Sequence, residues 1–190
     1  MTRRTRRKSF VYVVAALTLA GAAAGTHATE ITDTSGLVTL TYDQTMWTEG
    51  VDETGEPVVD CIREACGGDA ASCAVVIVLR NGDGPPDQAF LERFRQNLDG
   101  TTVQTATNIQ GADSRPEIVL PAALRKYGAN SGVSISMRIT FERGLTRVDN
   151  FWFLAGSDLA GITCIVADAD YDRARPAFER IYEDLAIHAP

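Results

Sequence analysis

Beyond residue 28 the chain has a single histidine, His188, third from its end. A histidine acting as general base or triad member needs an imidazole held in place by its surroundings, and chain ends tend to fray. His188 is therefore not expected to be catalytic. Ser131 lies in Gly128-Ala129-Asn130-Ser131-Gly132, which lacks the Gly-x-Ser-x-Gly spacing of a nucleophile elbow and reads as a turn. Asn81-Gly82-Asp83-Gly84 is glycine-rich but runs into Pro85 and Pro86 with no lysine, so it too reads as a turn, not a phosphate loop.

Carboxylates are the remaining candidates for chemistry. Glu49, Asp52, Glu53, Glu56 and Asp60 crowd one segment. Such a run is ordinarily a solvated face, and its alternative use is to attract a cationic partner. Asp168, Asp170 and Asp172 alternate, and Glu179 stands where a calcium loop places its twelfth ligand. Arg173, however, occupies the position where that loop needs glycine, and a strand precedes it where a helix should. Carboxylates ahead of a helix are favoured by the helix dipole without any metal. Among the aromatics, Trp152 lies between Phe151 and Phe153 in an apolar strand, so the three cannot all face one way. Trp152 either lies under a helix or forms a contact patch, and Trp47, Phe151, Trp152 and Phe153 are read as core residues, with a ligand-binding aromatic cluster as the alternative.

Cys61, Cys66, Cys73 and Cys164 are even in number. In an exported chain this reads as two disulfides, and their spacing does not match paired zinc knuckles. Of the three pairings possible, Cys61–Cys66 with Cys73–Cys164 is favoured, because Cys73 opens one apolar strand and Cys164 sits inside another.

Export is read from the N-terminus. Arg3, Arg4, Arg6, Arg7 and Lys8 precede an apolar stretch from Phe10 to Ala24, and small residues follow at Ala22-Ala23-Ala24 and Thr26-His27-Ala28. This is the layout of a cleavable signal peptide over residues 1–28, with an apolar run short for a bilayer span of about 20 residues. Thr5-Arg6-Arg7 hints at the twin-arginine route, but Phe10 is one place late, and the general secretory route is favoured. Five of the 18 basic residues and none of the 25 acids lie in this segment, so residues 29–190 carry 13 bases against 25 acids, a net charge of −12. Nucleic acid and anionic membrane need a basic face and are poor partners for it.

The elements that must position these residues follow from periodicity. Leu37 to Tyr42 is a strand, and Asp43 to Asp60 a polar loop. Ala74 to Leu79 is an apolar strand predicted to be buried on both faces. A helix from about Asp87 places Phe90, Leu91, Phe94 and Leu98 on one side and stops at Gly100. Thr101 to Thr107 is predicted as a strand, and Ile109 to Gly132 as irregular. Val133, Ile135, Met137, Ile139 and Phe141 alternate with Ser134, Ser136, Arg138, Thr140 and Glu142, which is a strand with one dry face. A turn at Arg143-Gly144, a return arm from Thr146 to Leu154 and a third strand from Gly161 to Ala167 complete a meander. Tyr171, Ala174, Phe178, Ile181, Tyr182 and Leu185 mark a closing helix, with Pro176 expected in its first turn or at its start.

This order specifies a single α+β domain, an antiparallel sheet with helices packed on it. Val38-Thr39-Leu40-Thr41-Tyr42 leading to Trp47, and the meander running into Phe178-Glu179-Arg180-Ile181-Tyr182-Glu183-Asp184-Leu185, resemble the PsbP-like α/β/α sandwich superfamily. The cysteines and the acidic segment after Trp47 are not part of that pattern. The resemblance implies binding or assembly work without catalysis and carries over no site residues. The expectation is a periplasmic or secreted protein that binds another envelope or secreted protein, or a small ligand, with no cofactor and no span in the mature chain. Asp52, Glu53, Glu56 and Trp152 are its candidate contact residues. The alternatives are a carboxylate-dependent hydrolase, or a secreted inhibitor or accessory subunit for a cationic partner.

Mass spectrometry of the exported protein should find its N-terminus between Gly25 and Glu30. An intact Met1 would show that the segment is not a cleaved signal.

Overall fold

The computed structural model describes residues 28–52, 55–68, 71–78, 87–110, 116–141 and 144–188. The proposed signal segment up to residue 27, Glu53 and the Asn81–Pro86 turn lie outside them. Among the described residues, ten strands and two α-helices follow in the order β1 (Ala28–Thr32), β2 (Val38–Asp43), β3 (Trp47–Val51), β4 (Pro57–Cys61), β5 (Ser72–Val78), α1 (Gln88–Gln110), β6 (Glu117–Tyr127), β7 (Asn130–Phe141), β8 (Gly144–Ala155), β9 (Asp158–Ala167), α2 (Tyr171–Asp184) and β10 (Ala186–Ile187). Among the described residues, no helix is long and apolar enough to cross a membrane.

The strands form two antiparallel sheets. The larger runs β3-β4-β5-β9-β8-β7-β6, and the smaller β1-β2-β10. The chain is thus an α+β domain. In β8 the period of two is used on both faces. Phe151, Phe153 and Ala155 enter the core beneath α2, which they share with Val38 and Leu40 of β2 and with Phe178 and Ile181 of α2. Trp152 and Leu154 point the other way and pack with Leu91 and Leu98 of α1. The ring of Trp152 meets Phe94 edge-on at 5.9 Å. Gly161 gives that ring its bed, since a Cβ there would come within 2.6 Å of it. Of the two expectations for Trp152, burial under a helix is the one observed.

Several elements differ from the sequence reading. The segment from Asp43 to Asp60 is not a loop: β3 and β4 form a hairpin in which Trp47 pairs with Cys61 and Val51 with Pro57. Its first strand is the edge of the sheet, where a polar, glycine-containing strand is stable because only one neighbour must be satisfied. Gly100 does not end α1. Its backbone stays outside the left-handed region, and the helix continues through the stretch predicted as a strand. The irregular region contains β6, the opposite edge strand. Pro121 hid it, because a proline has no N–H to donate and reads as a break. The ladder with β7 shifts register on both sides of Leu120. The amide of Ala122 donates instead to Asp99 Oδ1 of α1 at 2.8 Å.

β5 is buried on one face only. Cys73 and Val75 are covered, while Val76 is 37% exposed because α1 lies over the other half of the sheet. α2 begins at Tyr171, after a 3₁₀ turn over Asp168–Asp170, so Pro176 falls in its second turn. Its exposed position leaves the unpaired carbonyl one turn earlier within reach of water. His188 is not frayed. Its amide donates to the Leu37 carbonyl at 2.8 Å, and its Nε2 lies 2.8 Å from Thr39 Oγ1. β10 holds it there by pairing with β2.

The disulfides join Cys61 to Cys66 and Cys73 to Cys164. The first closes a 3₁₀ turn over Glu64–Cys66 beneath α2; the second joins residues directly opposite on β5 and β9, 91 positions apart in sequence. In chain-entropy terms the long closure contributes about 5 kcal/mol and the short one about 2 kcal/mol. Cys73→Ser with Cys164→Ser should therefore lower unfolding free energy in denaturant titrations by more than Cys61→Ser with Cys66→Ser. An equal or reversed ranking would remove the claim that the long staple dominates.

Candidate functional site

The candidate contact residues do not converge. Asp52 and Glu56 sit at the two ends of the β3–β4 turn, where the Glu56 amide donates to Asp52 Oδ1 at 3.0 Å. Glu56 also accepts from the amide and the hydroxyl of Thr34, so it ties this turn to the β1–β2 turn. Glu49 accepts a long hydrogen bond, 3.4 Å, from Tyr42 on the opposite sheet. Two of the three aspartates proposed for calcium are engaged elsewhere. Asp168 is bound by Arg138 at 2.9 Å and by Arg147 at 2.8 Å, and Asp170 by Arg173 at 2.7 Å. Burial works against the charged form of Asp168, but the hydrogen bonds from these arginines outweigh it and hold its carboxyl below the usual range. Among the described residues, no three His, Cys, Asp or Glu side chains are grouped so as to hold a metal. A 3₁₀ turn thus aims Asp168 and Asp170 at arginines, and Asp172 lies in the first turn of α2.

The site that sequence reasoning missed is centred on Asp149. On β8 this residue follows the same alternation as Phe151 and Phe153, which places it on the covered face beneath α2, only 4% exposed. Ser136 of β7 is its cross-strand partner on one side and Cys164 of β9 on the other. Tyr182 of α2 points its hydroxyl at Asp149 Oδ2, at 3.4 Å. Tyr171, one helix turn from Arg175, lies under the guanidinium of Arg147, 4.2 Å from the ring centre. The fully buried hydroxyl of Ser136 has no hydrogen-bond partner within normal limits, although it lies beside Asp149 and Tyr171.

Burial sets the electrostatics. It pushes the Asp149 carboxyl up to about 6, against the opposing pull of the Ser136, Tyr171 and Tyr182 hydroxyls and the charge of Arg175. Burial, then the neighbouring Asp149 charge, pushes the Tyr171 phenol up to about 12 and Tyr182 well above its ordinary value. These phenols stay protonated at neutral pH and remain hydrogen-bond donors.

Asp149 opens onto a cavity of about 240 Å³ between α2 and the β6 edge, walled by Tyr127, Ser134 and Tyr171. Arg125, Lys126 and Arg175 line it as well. Lys126 is the only lysine after residue 28. Arg175 is bound to Glu179 at 2.9 Å, whereas Arg125 and Lys126 make no ion pair among the described residues. Asn130 fixes the geometry by donating to the carbonyls of Tyr182 and Leu185, each at 3.1 Å, which ties the β6–β7 turn to the end of α2. The pocket is thus a buried acceptor with hydroxyls at its floor and one cation, Arg125, without an ion pair at its mouth. A second cavity, about 260 Å³, lies between Tyr42, Met46, Trp47 and Ile181 and is mainly apolar.

No family model matches the sequence, and no curated protein is similar to it in sequence. Solved structures define the fold instead. The solution structure of cyanobacterial PsbP (CyanoP) from Synechocystis sp. PCC 6803 superposes with a TM-score of 0.65 at 12% identity, covering 90% of this chain and 99% of that one. A protein from Bacteroides thetaiotaomicron VPI-5482 gives 0.57 at 11% identity, over 85% of this chain and 49% of that one. The Ran-binding protein Mog1p of Saccharomyces cerevisiae gives 0.50 at 10% identity, over 85% of this chain and 96% of that one. The chain therefore has the PsbP-like fold, as the resemblance implied.

The Asp149 environment yields a pH dependence of stability. Its folded pKa of about 6 lies above the unfolded value of about 3.9, so the folded state binds the proton more tightly. That stabilisation is full below about pH 4 and is lost as pH rises through about 6, on the order of 2–3 kcal/mol in total. Asp149→Asn lacks this titration. Denaturant titrations from pH 4 to 8 should show the natural protein losing stability relative to Asp149→Asn across that window. A constant difference would mean that Asp149 is not desolvated.

Proposed function

We propose that this chain is an exported binding protein of the periplasm or the extracellular space, without catalytic activity, and that the Asp149 pocket is its ligand site. The observation that carries the reading is the buried carboxylate of Asp149, surrounded by hydroxyls, beside the unpaired Arg125, where residues 29–190 hold 25 acids against 13 bases. Such a cavity lends itself to holding and orienting a small polar molecule. Two disulfides fit an oxidising compartment. The hydrolase alternative needs a second working carboxylate. Glu179, the other acid lining the cavity, is engaged by Arg175.

A second reading, binding of a cationic protein at the acidic β3–β4 hairpin, is favoured by one feature. Val51, at the end of the edge strand, is 72% exposed beside Asp52. In this reading Asp52, Glu53 and Glu56 would steer the partner, and Trp152, half-buried under α1, would contribute little directly.

Backbone NMR spectra separate the two. Adding a pool of amino acids, dicarboxylates and small amines should shift resonances around Tyr127, Ser134, Asp149 and Tyr171, and Ser134→Trp, which fills the cavity, should abolish the shifts. If the pool leaves the pocket silent while a basic peptide shifts Glu49 to Asp60 in a salt-sensitive manner, the hairpin is the binding face and the pocket reading falls.

A further inference from the structure

We infer that the ligand of the Asp149 pocket is a small zwitterion, bound with its ammonium group toward Asp149 and its carboxylate toward Arg125. The inference rests on the pocket reading and adds the class of ligand.

Three features point to it. The first is the unbalanced floor. A buried carboxylate is costly unless paired, and no cation forms an ion pair with Asp149. The groups facing it from the elements around it are Ser136 of β7, Tyr171, Arg175 and Tyr182 of α2, and Tyr127 of β6. All but Arg175 are hydroxyls, and the Arg175 guanidinium is held by Glu179. An ionised carboxylate has about four lone-pair positions, and Tyr182 reaches it only at 3.4 Å, so acceptor capacity is left for an incoming N–H donor.

The second feature is the mouth. Among the described residues Arg95, Arg138, Arg147, Arg173, Arg175 and Arg180 each pair with an acid, whereas Arg63, Arg93 and Arg125 do not. Of these three only Arg125 lines the cavity, and the alternation of β6 puts it on the same face as Tyr127. An unpaired guanidinium at an opening favours an anionic group.

The third is that the two ends exclude the simpler ligands. A dicarboxylate would press one charge against Asp149, and a diamine would press one against Arg125. Either repulsion costs more in a partly desolvated cavity than in water. Only a molecule with both charges satisfies both ends. A volume of about 240 Å³ corresponds to about eight water molecules' share of the liquid, which suits an amino acid or a dipeptide. Binding an ammonium next to Asp149 also favours its ionised form, so complex formation near pH 6 should release a proton.

Calorimetric titration of the disulfide-intact protein at pH 7.5 with 4-aminobutanoate, glycylglycine, succinate and 1,4-diaminobutane tests this. At least one of the two zwitterions should bind at least tenfold tighter than succinate and diaminobutane. Arg125→Ala, at an exposed position whose loss should leave the fold intact, should weaken that zwitterion at least tenfold, and Asp149→Asn should do the same. Titration in two buffers of different ionisation enthalpy at pH 6 should report the released proton. Succinate or diaminobutane binding as tightly as the zwitterions, with shifts confined to the pocket, would overturn the ligand class and leave the pocket standing. Zwitterion binding indifferent to Arg125→Ala would also overturn it. If none of the four binds and the wider pool shifts no pocket resonance, the pocket reading fails too.

Discussion

The pairing of β5 with β9 is the constraint on which the rest of the large sheet depends. β5 belongs to the first half of the chain, through its hairpin partners β4 and β3; β9 belongs to the meander that includes β8, β7 and β6. Without this one antiparallel ladder the seven strands would be two separate sheets, each with an extra raw edge. The ladder runs from Ser72 opposite Ile165 to Val78 opposite Leu159, and Cys73 meets Cys164 within it. A pairing so distant in sequence has a large loop-closure cost. The disulfide at that point removes much of the cost from the unfolded side of the equilibrium. The smaller sheet closes the same way, with β10 near the chain's end pairing β2 near its start.

The same row of residues across the sheet changes character from its centre to its edge. Cys73 and Cys164 are followed by Asp149 and then Ser136 on neighbouring strands, all on the face under α2. At the centre α2 and the smaller sheet exclude water, and only apolar groups and the disulfide are tolerated. Toward β6 the helix presents Tyr171, Arg175 and Tyr182, and a cavity opens. Hydroxyl donors make the carboxylate bearable there, though at a raised pKa. α2 therefore serves both as a lid on the core and as one wall of the pocket. Asn130 anchors its C-terminal carbonyls to the β6–β7 turn that borders the same cavity.

Strong periodicity was legible, and weak edges were not. β7 could be read residue by residue because Val133, Ile135 and Met137 form one dry face. The closing helix was equally clear from Ala174, Phe178 and Ile181. The edge strands β3 and β6 were not, since an edge strand needs few apolar residues and tolerates Gly50 and Pro121. Gly100 misled because glycine ends a helix only when it turns left-handed, and here it does not. Asp149 did leave a signal. It stands in phase with Phe151 and Phe153, so its burial followed from the alternation, but an acid in an apolar strand looks like an exception until something is seen to cover it.

What the sequence determined by itself was local and one-dimensional: the mixed α and β class, the period of each main strand and the helix faces. The cysteine count and the acid excess were equally readable. Each is a property of neighbours in the chain, set by backbone geometry and composition. What only the tertiary structure decided was which distant groups meet. Asp168 and its arginines, Glu56 and Thr34, and Asp149 with Tyr171, Tyr182 and Arg125 come from separate elements. Their proximity arises from sheet order and from the placement of α2. The energy of a buried charge depends on what surrounds it in space, so the pocket had no existence in the sequence until the strands were ordered.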